Sequence, residues 1–180
     1  MKKLTKREAK HDSTQEATAS DVHARECNEC TKCCEGWLTT EVNFRPVYPG
    51  KPCYLLQLGK GCERYDARPV HPCATYNCGW KADIEIPDAY KPDVCNVVMN
   101  INHLNEFPYL ALINAPDTPS EEMIEWAKEY SVYQKIGILW TDAKGQINYF
   151  GPQGFCELAA NIVGSASESE KAHFESFEIE

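Results

Sequence analysis

Cys27-Asn28-Glu29-Cys30-Thr31-Lys32-Cys33-Cys34, CNECTKCC, crowds four thiols into eight residues. Cys53, Cys62, Cys73 and Cys78 follow at longer intervals, so eight of the ten cysteines fall before residue 82. The segment that carries them, residues 21–81, is interrupted by Pro49-Gly50, Lys51-Pro52, Gly59-Lys60-Gly61 and Pro72, turn formers that leave little room for long periodic elements. Such a segment cannot fold on an apolar stripe alone, and thiolate ligation of a metal supplies the missing folding energy. The expected fold is α+β: an irregular, cysteine-rich, metal-bound half over 21–81, followed by a small sheet with one or two packed helices over 82–163.

A C-x2-C step brings two thiolates around one cation while the amides between them donate to sulfur. Repeated at once, it becomes C-x2-C-x2-C. Zinc sites usually draw four ligands as two separated pairs. Three thiolates at successive steps of three instead resemble the segment that wraps three corners of a cubane in bacterial-type ferredoxins, whose fourth ligand comes from elsewhere. The triad favours an iron-sulfur cluster, of the 4Fe-4S type, over zinc. Adjacent Cys33 and Cys34 point in different directions, and eight thiols suffice for one or two four-thiolate sites; spacing leaves the pairing open.

In order, the pattern reads Cys27, Cys30, Cys33 and Cys34, then Cys53 in KPCYLL, Cys62 in GCERYDARP, then Cys73 and Cys78. Over roughly residues 27–80 it resembles the CxxCxxCC, or YkgJ-type, cysteine cluster family. Members have such an opening, a later cysteine in a short loop, a cysteine before Y-x-x-R-P and further cysteines just after it. The resemblance implies metal chelation through these eight cysteines, with iron and zinc both open, and implies no known reaction. A related cluster occurs in flagellin lysine N-methylases, longer enzymes that use S-adenosylmethionine; nothing here matches their remainder.

A four-thiolate centre keeps about two net negative charges, which burial makes costly without donors nearby. Arg68, in Tyr65-Asp66-Ala67-Arg68-Pro69, suits that need: its planar fork can bridge cluster sulfurs, or bind Asp66 or a backbone carbonyl. Tyr65 is expected to pack as a lid. His71 is read as a neighbour rather than a ligand, because four cysteines per site are available without it. His11, His23, His103 and His173 form no spaced pair, and Cys95 and Cys156, without close cysteine partners, are read as structural.

The balance of 18 basic against 27 acidic residues, a net charge of −9, opposes generic attraction to nucleic acid or anionic lipid. No stretch approaches the roughly 18 apolar residues of a membrane span, and the lysine-rich start runs into polar sequence rather than an apolar leader. A cytoplasmic, reducing setting is expected, where dense cysteines mean metal or redox chemistry rather than disulfides. Residues 1–20, polar and poor in aromatics, are expected to form a disordered basic arm, and 164–180 an acidic tail whose Phe174, Phe177 and Ile179 can dock on the body or on a partner.

Between them, Phe107 to Ala115 reads as a strand. Thr118-Pro119-Ser120-Glu121 reads as a capping box with Thr118 as N-cap, opening a helix to about Ile136 whose Met123, Ile124, Ala127 and Tyr130 face the sheet, with Tyr133 or Gln134 beyond. GILWTDAKGQINYF, residues 137–150, reads as a hairpin turning at Asp142-Ala143-Lys144-Gly145, and a last helix spans Cys156 to Val163.

Three functions compete: a metal-binding cysteine-cluster protein whose protein partner is unspecified; a cluster-dependent enzyme, oxidoreductase or methyltransferase; and a thiol or metal-transfer protein. No glycine-rich nucleotide loop, H-E-x-x-H or nucleophile elbow supports the second.

Overall fold

A computed structural model describes residues 25–27, 29–114, 118–166 and 174–177, with side chains as far as 164. The basic arm expected over 1–20 lies outside these residues. The cysteine-rich half is built of turns and two short hairpins. Strands β1 (Thr40–Val42) and β2 (Arg45–Val47) pair antiparallel with Thr40 opposite Val47. Between them, Asn43 and Phe44 both sit at positive φ, the requirement of a tight two-residue hairpin. Strands β3 (Leu56–Gln57) and β4 (Gly61–Cys62) form the second hairpin. Val42, Val47, Cys53 and Leu55 bury together as a small core against which Cys34, Leu56, Cys62 and Cys73 pack.

The α+β half is an actual sheet. After the short helices α1 (Gly79–Ala82) and α2 (Pro92–Cys95), β5 (Val98–Leu104) and β6 (Phe107–Ile113) make an antiparallel hairpin through Asn105, at positive φ. Helix α3 (Glu121–Gln134) then crosses to β7 (Gly137–Thr141), parallel to β6. β8 (Ile147–Pro152) returns antiparallel, and helix α4 (Gln153–Ala166) leads to β9 (Phe174–Phe177), parallel to β8. The five strands lie in sequence order, as two successive strand-strand-helix units plus an edge strand.

Side-chain alternation divides the sheet into two faces. Met99, Leu110, Leu112 and Ile138 bury with Met123 and Ala127 of α3, and Tyr149 buries with Phe155, Cys156 and Ala159 of α4, against Phe107 and Tyr109. The α3 core also takes in Cys78, Trp80 and Ile86, so the cysteine-rich half and the sheet share packing and the boundary at 81/82 is not a break. Val97, Val98 and Met99 are buried in succession where the two halves meet. Among the described residues no helix is long and apolar enough to cross a membrane.

Several expectations need correction. The N-cap of α3 is Ser120, whose hydroxyl accepts from the Met123 amide at 3.2 Å, not Thr118; the later serine is the one whose oxygen reaches the third helical amide. The helix stops at Gln134, because Lys135 turns left-handed. On α3 Tyr133 is exposed, and the buried stripe is Met123, Ala127 and Ser131. Helix α4 begins at Gln153 and runs past Val163 to Ala166, and Phe174–Phe177, assigned to an acidic tail, adds a strand: backbone pairing to β8 outweighs the charged composition.

Candidate metal centre

The opening cysteines are set by a tight turn and then a wide one. The Cys30 amide donates to the Cys27 carbonyl at 2.8 Å; the Glu35 amide donates to Thr31 and the Trp37 amide to Lys32, winding Cys33–Trp37 into a single broad helical turn. Adjacent residues on a helical turn diverge by about 100°. Cys33 accordingly packs against the sheet core, and Cys34 against the small core of Val42, Val47, Cys53 and Leu55. Gly36, at φ 91°, ends the turn, and the Cys53 amide closes on the Cys34 carbonyl at 2.8 Å.

Arg25, absent from the sequence reading, clamps this segment to α1. Its guanidinium donates to the carbonyls of Trp80 at 2.6 Å, Asp83 at 2.9 Å and Ile84 at 3.1 Å, pairs with Asp88 at 3.3 Å, and lies over the Trp80 ring. Cys27 is thereby brought towards Cys78, which immediately precedes α1.

All eight cysteines of the cluster line one cavity of about 640 Å³, together with Trp37, Tyr65, Arg68, Tyr76 and Trp80. Among the described residues no three cysteine, histidine, aspartate or glutamate side chains converge on a single metal position; the thiols stand around a shared space. Cys95 and Cys156 do not line it. Their thiols face the carbonyls of Val97 and Gly151, each at 3.5 Å.

Electrostatics describe the same crowding. Burial pushes the Cys33 thiol up, followed by the nearness of Cys78, Cys30, Cys34 and Cys27. Burial pushes Cys34 up to about 12, followed by Cys53, Cys62, Cys73 and Cys27. Cys30 and Cys78 are raised chiefly by burial, opposed by the amides of Lys32 and Lys81, which donate to their sulfurs. Cys73 is raised by burial and by Cys53 and Cys62, with Arg68 opposing. Ionising such a set is costly without a cation, and soft thiolates favour zinc, copper(I) or iron-sulfur clusters. A further sign of fit is the Tyr76 hydroxyl: buried, without a hydrogen-bond partner among the described residues, and close to Cys33, Cys78 and Cys27. Metal-bound sulfur is an acceptor suited to it.

Arg68 takes the backbone option among those expected, donating to the Tyr65 carbonyl at 3.0 Å and stacking on the Tyr65 ring at 4.2 Å, with Cys73 nearby. Tyr65 lines the cavity wall. His71 is exposed, its Nδ1 3.0 Å from the Thr75 hydroxyl, and does not line the cavity. His103 is exposed, and His11, His23 and His173 lie outside the described residues. Tyr76 had a signal in the sequence, an aromatic between Cys73 and Cys78; Arg25 had none, since its partners are carbonyls far along the chain. Comparison with known protein families, with curated proteins and with solved structures matches this chain to none of them.

Proposed function

We propose that this chain is a metal-binding cysteine-cluster protein, holding an iron-sulfur cluster or zinc through Cys27, Cys30, Cys33, Cys34, Cys53, Cys62, Cys73 and Cys78, as its resemblance to the CxxCxxCC family implies. One observation carries this reading: cysteines spread over residues 27–78 line a single cavity, while Cys95 and Cys156 stay outside it. Thiolates so placed bind a thiophilic cation with loss of their protons to solvent, and the charge left over is met by the Lys32 and Lys81 amides and by Arg68. A reducing compartment, the cytoplasm, suits such a set.

The test is the iron, sulfide and zinc content of protein purified without oxygen, with its absorption spectrum. Iron and sulfide in equal amounts with a broad visible band identify a cluster; zinc without sulfide identifies a structural site; a chain that takes up none of them after loading refutes the proposal.

A further inference from the structure

We propose that the eight cysteines form two separate four-thiolate centres, Cys27, Cys30, Cys33 and Cys78 in one and Cys34, Cys53, Cys62 and Cys73 in the other, divided between adjacent Cys33 and Cys34. The inference rests on the metal-binding reading above and specifies its sites.

Two observations carry it. The first is packing: Cys33 and Cys78 belong to the core shared with the sheet, whereas Cys34, Cys53, Cys62 and Cys73 all belong to the small core of Val42, Val47 and Leu55. The second is backbone geometry. The broad turn at Cys33–Trp37 turns neighbouring side chains to different sides, the Cys53 amide binds the Cys34 carbonyl, the Cys30 amide binds the Cys27 carbonyl, and Arg25 ties the segment before Cys27 to α1, the helix that Cys78 precedes.

The two centres also differ in kind. The first uses the C-x2-C-x2-C triad with a remote fourth cysteine, the ferredoxin-like arrangement, and faces the Tyr76 hydroxyl. The second gathers single cysteines from separated turns beside Arg68.

The test uses the full chain, loaded without oxygen with zinc or with iron and sulfide, then passed over a chelating resin. The unaltered chain should retain two equivalents of zinc or two clusters. Cys30→Ser and Cys73→Ser should each retain half, and the double variant none. Alkylation of the retained fraction should spare Cys34, Cys53, Cys62 and Cys73 in Cys30→Ser, and Cys27, Cys30, Cys33 and Cys78 in Cys73→Ser. One equivalent in the unaltered chain, complete loss in both single variants, or protection that crosses the groups overturns the division while leaving metal binding in place. No metal in the unaltered chain overturns the metal-binding reading itself. Should a variant fail to fold, graded chelation of the unaltered chain decides: its thiols become reactive in two sets of four, or all eight together, which refutes two centres.

Discussion

Gly36→Ala probes the joint between the two groups of cysteines. Gly36 sits at φ 91°, and a Cβ built there would lie 2.2 Å from the Tyr48 carbonyl oxygen, 2.6 Å from its carbon and 3.3 Å from the Pro49 nitrogen. These are backbone atoms, so no side chain can swing away. The left-handed conformation alone costs an alanine roughly 1–2 kcal/mol. Restoring ordinary contact means pushing back the turn at Tyr48, whose amide and carbonyl are both bonded to Lys51, at a further cost of about 1–3 kcal/mol as for other overpacked sites.

Gly50→Ala is the control. Gly50 has φ 86° and nothing within 4 Å of a built Cβ, so it incurs only the conformational cost. At roughly 2–4 °C per kcal/mol for a chain of this size, Gly36→Ala should melt about 4–20 °C below the parent and Gly50→Ala about 2–8 °C, with the separation between the variants about 2–12 °C. The assay is thermal unfolding of metal-loaded protein, read with metal retained on a chelating resin, which Gly36→Ala alone should lower because the Cys34–Cys53 contact moves with the turn. Equal melting temperatures and equal retention in the two variants would refute the close approach of Gly36 to the Tyr48 turn.

Other expectations follow from single contacts. Tyr76→Phe removes a buried hydroxyl without a partner among the described residues, so the metal-free protein should be as stable or more stable, while the loaded protein loses a donor to sulfur and releases metal faster; equal stabilisation of both forms counts against a role at the centre. Arg25→Ala should cost about 2–3 kcal/mol, since three carbonyls lose a charged donor whose side chain is 13% exposed, and Arg25→Lys should recover only part, its single ammonium being unable to span them; chemical denaturation of the pair checks both. Cys156, its thiol pushed up to about 11 by burial, should be about one part in a thousand thiolate at pH 8, and stoichiometric alkylation of it by iodoacetamide in the native protein would contradict its placement.

What was legible in the sequence was local. The crowded cysteines of CNECTKCC do line one cavity with the later four, and the turn at Asp142 announces the β7–β8 hairpin because the carboxylate accepts the amides of Lys144 and Gln146 while Gly145 takes positive φ. Helix α3 was visible through its periodicity, though two polar candidates, Thr118 and Ser120 on either side of Pro119, obscured which one caps it. β5 was not visible: Asn100, Asn102 and His103 weaken its strand character, and pairing with β6 supplies what propensity lacks. The grouping of the cysteines could not be read from spacing either, because it depends on the direction in which the turn at Cys33 throws two consecutive side chains.

That turn has an energetic consequence for the molecule as a whole. The small core of Val42, Val47, Cys53 and Leu55, with Cys34, Cys62 and Cys73 packed against it, is slight for two short hairpins. If its thiols bind a metal as proposed, folding of that region is coupled to that binding. Cys78 is different, because it is buried with Trp80, Met99 and Leu110 in the larger core to which the sheet and α3 contribute. On the proposed two-centre reading, loss of ligation among Cys34, Cys53, Cys62 and Cys73 would loosen the small core they pack on, whereas loss among Cys27, Cys30, Cys33 and Cys78 would leave Cys33 and Cys78 against the larger core, with Arg25 still bound to the end of α1.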